Sequence, residues 1–176
     1  MSKRKIVIAT SGASGVNLGL KTLELMPDSI EKHFVMSKNS KIVLKKELGG
    51  VTSHNNADIS ASIASGSFGV DAMIIAPCSM NTLAKIACGI SDNLITRCAS
   101  VMIKEQKKLI LAPREMPFSA IALENMQKLA TLGVVIAPPV MAYYSEQQTL
   151  DEMENFIVGK WFDLLNIENN LYKRWE

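Results

Sequence analysis

Five short apolar runs, IVIA (6–9), HFVM (33–36), MIIA (73–76), LILA (109–112) and VVIA (134–137), recur along the chain with longer stretches of helical periodicity between them. Such runs lack the polar alternation of a half-solvated strand, so they suit strands buried on both faces. Parallel strands need a crossover to carry the chain back, and the stretches 16–25, 37–47, 82–88, 94–104 and 121–132 supply helical ones. The pattern predicts an α/β fold: a parallel sheet with helices on both faces. A last amphipathic helix, about 150–165, places Met153, Phe156, Ile157, Trp161 and Leu164 on one face.

The 176 residues are 48% hydrophobic and 20% charged, which fits one domain over 1–176, with the C-terminal helix and tail (about 150–176) completing the site or a subunit interface. A formal net charge of +2 argues against a nucleic-acid partner, and the lysine pairs at 45/46 and 107/108 read as solvated. No secretory pattern and no membrane-spanning apolar run is present, so a cytoplasmic protein is expected. Cys78, Cys88 and Cys98 form no C-x-x-C pair; buried free thiols are expected, with neither a zinc site nor a disulfide. His33 and His54, far apart in sequence, restrict histidine chemistry to two candidates. Met126 and Leu129 are expected to be exposed apolar helix residues suited to a subunit interface.

An open α/β sheet takes its ligand at the carboxyl ends of the strands. There the chain carries TSGASG, PCSMNT, PREMPF and PPVMAYY, which should converge on one crevice. Gly12, Gly15 and Gly19 give G-x-x-G-x-x-x-G, not the G-x-G-x-x-G of dinucleotide sites, although the small residues would let backbone amides approach an anion at a helix N-terminus. Ser11, Ser14, Ser79, Asn81 and Thr82 suit a phosphate or a polar ring edge; ordinary helix capping is the other reading of Ser79 and Thr82. Arg114 and Glu115 sit between two prolines, where Arg114 could hold an anion with two prongs and a partly buried Glu115 could exchange protons; a plain surface ion pair is the alternative.

Taken in order, IATSGASG, MSK followed by Glu47, SIASGSF, APCSMNTLAKIACGISDNLITR, IKE, LAPREMPFS, LENMQKLATLGVVIAPP and YY resemble the UbiX-type flavin prenyltransferases, within the superfamily of flavin-dependent cysteine decarboxylases. The resemblance implies a Rossmann-like, flavodoxin-related fold, and homotrimers that often assemble into dodecamers. It also implies FMN in the glycine loop, held at positions matching Gly12, Ala13, Ser14, Ser37, Ser79, Met80, Asn81, Thr82 and Arg114. The second substrate implied is dimethylallyl phosphate, its phosphate at Arg97, Lys104, Tyr144 and Lys160 with contributions from a neighbouring subunit, and its prenyl pocket covered by Trp175.

The family's reaction joins the dimethylallyl group to N5 of reduced FMN and closes a ring at C6 without a metal. The product serves a separate UbiD-type decarboxylase, with ubiquinone biosynthesis one destination. On that resemblance Arg97, Lys104 and Lys160 cradle the leaving phosphate, Glu115 exchanges a proton with it, and Glu47 and Ser14 handle protons near the flavin. Lys160 stands where the family's last helix carries Arg, so a point charge replaces a planar fork. Met141, Tyr143 and the SEQQ after Tyr144 also depart from the family pattern. The rival readings are an FMN-dependent cysteine-type decarboxylase, a non-catalytic FMN-binding subunit, and direct decarboxylation of an aromatic acid.

Overall fold

The computed structural model describes residues 3–12, 14–38 and 49–175. Six parallel strands, β1 Arg4–Thr10, β2 Ile30–Met36, β3 Val51–Asn55, β4 Ala72–Cys78, β5 Lys108–Pro113 and β6 Val135–Ile136, lie in the order β3-β2-β1-β4-β5-β6. Without the edge strand β3, the order becomes that of flavodoxin; with it, that of a dinucleotide-binding sheet. The helices are α1 Val16–Leu25, α2 Met80–Ala87, α3 Leu94–Lys104, α4 Ala120–Thr131 and α5 Leu150–Leu164. The expected helix 37–47 falls mostly outside the described residues, as do Ala13 and Glu47.

Strand side chains alternate between two cores. Val7, Ala9, Val35, Met73, Ile75, Leu109 and Leu111 face α2, α3 and α4. Ile6, Ile8, Phe34, Ile74, Ile110 and Ala112 face α1 and α5. The apolar runs are continuous because both faces of the sheet are covered. β3 escapes the sequence pattern because it is an edge strand of mostly polar residues, VTSHN, specified by pairing with β2 rather than by burial.

Two expectations are corrected. Leu129 is fully buried and Met126 packs against the core; the exposed apolar residues of this region are Ile121, Leu123 and Leu132. α4 is apolar on several sides, so its periodicity does not select the inward face. Cys88 is exposed, since it caps α2 one position beyond the buried Ile86 and Ala87, whereas Cys78 and Cys98 are buried. Although far apart in sequence, His33 and His54 meet in space: β2 and β3 bring His33 Nδ1 within 3.0 Å of His54 Nε2, and His33 Nε2 lies 2.9 Å from Glu31 Oε1.

Candidate functional site

The strand order reverses between β1 and β4, whose chains leave the sheet toward opposite sides and open a crevice at their carboxyl ends. Two hydrogen bonds tie these ends together: the Ser11 amide donates to the Pro77 carbonyl at 2.9 Å, and the Ser79 amide donates to Ser11 Oγ at 3.0 Å. The Ser37 amide, at the end of β2, donates to the Thr10 carbonyl at 3.0 Å. Ser79 caps α2, accepting from the Thr82 amide at 3.3 Å and donating to Thr82 Oγ1 at 3.0 Å. The capping reading therefore holds for this pair, and Met80 and Asn81 form the first turn above it.

Gly12 faces Ser79 across the crevice, and Gly15 caps α1 at φ 82°, in the left-handed region that favours glycine. A Cβ at Gly15 would stand 3.1 Å from Arg114 Cδ, so loop and arginine are in close contact. Arg114 Nε also approaches the Ser14 carbonyl at 3.4 Å. Among the described residues no carboxylate pairs with Arg114, contrary to the ion-pair reading. α2, α3, α4 and α5 each have a side-chain N-cap, from Ser79, Asn93, Ser119 and Thr149, while α1 has none. The Leu18 amide turns back to the Gly15 carbonyl at 3.0 Å, and no described side chain covers the start of α1, a setting that fits a phosphate.

Beyond Arg114 the crevice widens into a cavity of about 550 Å³ lined by Pro113–Phe118, Pro138, Pro139 and Val140. Glu115 is exposed on its rim, its Oε1 accepting from the Met116 amide at 3.2 Å, so the expected partial burial is not provided by one chain. Pro138 and Val140 also line a second cavity of about 350 Å³, whose wall is otherwise Ala137, Met141, Ala142, Tyr144, Phe156, Ile157, Lys160, Trp161 and Leu164. α5 supplies Phe156, Lys160 and Trp161, and it is anchored there by the Trp161 Nε1 donation to the Ala137 carbonyl at 3.0 Å. Trp175 meets Tyr144 edge to face, with ring centroids 5.3 Å apart. Lys160 is exposed, and no carboxylate among the described residues pairs with it.

One chain thus brings Tyr144, Lys160 and Trp175 together, beside the cavity that holds Arg114 and Glu115. It does not bring Arg97 and Lys104 to them. Both are exposed on α3, and Lys104, which pairs with Glu105 at 2.6 Å, lies four residues before β5 starts and so toward the amino ends of the strands, opposite Arg114 at the carboxyl end of β5. The sequence reading passed over Met116, Phe118 and Val140 as cavity residues, although each lies in a quoted strand-end motif. Among the described residues no group of three or more His, Cys, Asp or Glu could hold a metal, and no helix is long and apolar enough to cross a membrane.

The chain matches the Flavoprotein family over residues 1–161. It is 50% identical to flavin prenyltransferase UbiX of Helicobacter pylori (strain J99), covering 97% of this chain and 98% of the relative. It is 46% identical to flavin prenyltransferase UbiX of Campylobacter jejuni, covering 98% of each. Its fold superposes on AnUbiX (PadA1) in complex with FMN and dimethylallyl pyrophosphate with a TM-score of 0.92, at 39% identity and covering 99% and 98% of the two chains. A dodecameric FMN-dependent UbiX-like decarboxylase from Escherichia coli O157:H7 gives 0.89 at 41% identity, covering 98% and 99%. With this likeness sustained over nearly its whole length, the chain belongs to the flavoprotein family and, within it, to the UbiX-type flavin prenyltransferases.

Proposed function

We propose that the chain transfers the dimethylallyl group of dimethylallyl phosphate to N5 and C6 of reduced FMN, and that the prenylated FMN is released to a UbiD-type decarboxylase. The observation that carries this reading is the pairing of two adjoining cavities. One has Arg114 and Glu115 beside the N-terminus of α1, which no side chain among the described residues caps; the other is mostly apolar and is lined by Tyr144 and by Lys160, with which no carboxylate among the described residues pairs. A flavin phosphate suits the first, and a small phosphate ester with a branched apolar tail suits the second.

Reduced FMN supplies the nucleophilic ring positions, and the chain's own residues supply the rest. The loop from Gly12 through Ala13 and Ser14, with Ser37 and the turn from Ser79 through Thr82, positions the flavin, and Arg114 holds its polar edge. Lys160 and Tyr144 hold the departing phosphate, whose charge grows as the allylic C–O bond lengthens. Glu115 gives a proton to that phosphate, Glu47 and Ser14 manage protons near the flavin, and Trp175 with Tyr144 keeps water from the allylic carbon. Arg97 and Lys104 complete the phosphate cradle from a neighbouring subunit, since α3 does not reach the Lys160 cavity within one chain. A trimer-based assembly, with a dodecamer as its full form, would bring such a neighbour, and we place the reaction in the cytoplasm.

The test is anaerobic incubation of the purified chain with reduced FMN and dimethylallyl phosphate, followed by mass spectrometry of the released flavin. A gain of one five-carbon unit is expected. FMN that is bound but unmodified would overturn the transferase reading in favour of a thiol-substrate decarboxylase or an FMN carrier, and carbon dioxide release from an aromatic acid by the chain alone would overturn it too.

A further inference from the structure

The residues after α5 do not trail away; they turn back along the helix they have just left. Asn169 donates to the Gly159 carbonyl at 3.3 Å, Tyr172 packs on Phe156 with centroids 4.9 Å apart, and Trp175 reaches Tyr144. Phe156, Gly159, Lys160 and Asp163 are spaced i, i+3, i+4 and i+7, so one face of α5 carries both the cavity lysine and the track of the tail. Gly159 makes room for that track: a Cβ there would stand 2.5 Å from Tyr172 Cδ1. Lys160 Nζ lies 5.9 Å from the Tyr172 ring centroid.

One carboxylate gathers the tail. Asp163 accepts from Asn169 Nδ2 at 3.0 Å, from the Tyr172 hydroxyl, and from both prongs of Arg174, at 2.9 Å from Nη2 and 3.1 Å from Nη1. Arg174 Nη2 also reaches back to the Asn169 carbonyl at 3.2 Å, closing the loop on itself. The only other ion pair of the described tail, Lys173 with Glu146 at 3.7 Å, is exposed at both ends. Burial alone would raise the Asp163 carboxyl, but hydrogen bonds from Arg174, Tyr172 and Asn169 outweigh it and hold the group below the ordinary aspartate value. A carboxylate that accepts four hydrogen bonds, two of them from a guanidinium fork, is a strong clasp rather than a decorative surface pair.

We propose that Asp163 is a positioning residue for the transfer: it clasps Asn169, Tyr172 and Arg174 so that Trp175 and Tyr144 are held over the Lys160 cavity, and allylic-phosphate affinity depends on that closure. The proposal rests on the assignment of this cavity to the allylic phosphate. Asp163 is not itself one of the residues lining the cavity, and its side-chain hydrogen bonds go to the tail, so its effect passes through the tail.

The experiment compares wild type with Asp163→Asn, which is isosteric, and with Arg174→Gln, which leaves α5 untouched. Trypsin cleavage in the tail, after Lys173 or Arg174, is followed by intact mass, and KM and kcat are measured for dimethylallyl phosphate alongside FMN affinity. In Asp163→Asn the tail is cut faster and KM for dimethylallyl phosphate rises roughly tenfold, the weight of one charge-assisted hydrogen bond, with FMN affinity unchanged and kcat changed far less. Arg174→Gln shifts KM in the same direction, and Arg174→Lys, which keeps charge but not the fork, restores part of it. Unchanged cleavage in Asp163→Asn overturns the clasp. Faster cleavage with unchanged KM overturns the positioning role and leaves the tail merely structural. A wild type that makes no prenylated flavin overturns the cavity assignment itself and the positioning role with it, a failure seen before any variant is compared.

Discussion

Replacing Gly19 by alanine tests how closely α1 must approach the sheet to build the glycine loop proposed to hold the flavin. An ideal Cβ at Gly19 would lie 2.1 Å from the Ala76 carbonyl oxygen and 2.5 Å from Thr10 Cγ2. A carbon rests no closer than roughly 3.3 Å to a carbonyl oxygen, so the helix must lift by about 1.2 Å or the strand must bend. The obstructing atom is backbone in the centre of the sheet, with little freedom to yield. Overpacking of this kind costs about 1–3 kcal/mol, and a rigid partner places it at the upper end or beyond. The higher helix propensity of alanine returns about 1 kcal/mol, which leaves a net loss of about 2 kcal/mol. For a chain of this length that lowers Tm by roughly 4–8 °C.

The assay is urea unfolding of the flavin-free protein followed by far-UV circular dichroism, with an FMN titration on the same sample. Lifting α1 moves Gly15 and Ser14 away from Arg114, so FMN affinity should fall together with stability. Gly49→Ala is the control, since nothing among the described residues stands within 4 Å of a Cβ there. A Gly19→Ala protein within about 0.5 kcal/mol of wild type, the ordinary range of harmless surface substitutions, and with unchanged FMN affinity would refute the close-approach reasoning.

Glu115→Gln should keep FMN bound and abolish prenylated-flavin formation, read by mass spectrometry; unchanged formation would remove Glu115 from the chemistry. Burial raises the thiols of Cys78 and Cys98 to about 12 while Cys88 is exposed, so a maleimide at neutral pH should label one equivalent natively and three in urea. The His54 pKa is lowered by burial and then by His33, against the pull of Asp58. The unfolded chain therefore binds a proton near pH 6.5 that the folded chain refuses, and stability present above that pH falls as the solution is acidified toward the folded value. Urea midpoints at pH 7.5 and 5.5 should differ in wild type and differ less in His54→Gln, where Glu31 and His33 remain in place.

The sequence was legible wherever one physical demand acted alone. Strands buried on both faces must be continuously apolar, and helices between them must show a stripe, so α1 and α3 match the expected 16–25 and 94–104 at both ends. Legibility failed where a second partner decides. β3 is polar and exists through pairing with β2; the inward face of α4 depends on which of its apolar sides meets α2; and the meeting of His33 with His54 depends on strand register. The strand-end motifs were visible because prolines, glycines and hydroxyls interrupt apolar strands abruptly. Asp163, Tyr172 and Arg174 carry no such signal, because a clasp formed by a returning tail has no local period.

The tail also bears on why a lysine stands at position 160. An arginine there would lie three residues before Asp163 on the same face of α5, within reach of a carboxylate that accepts a guanidinium fork well. Here that fork comes from Arg174, which draws the tail down, while Lys160 lines the cavity and no carboxylate among the described residues pairs with it. A compact point charge with three rotatable donors can follow a phosphate as it departs, whereas a planar group shared with Asp163 would be held to one orientation. On the proposed assignment of this cavity, the substitution and the clasp are two parts of one arrangement, the guanidinium closing the site and the ammonium meeting what is enclosed. Introducing Lys160→Arg should accordingly loosen the tail through competition for Asp163, and the trypsin comparison that reports on Asp163→Asn would register it as faster cleavage in the tail; cleavage as slow as in wild type would separate the two residues and leave Lys160 without this explanation.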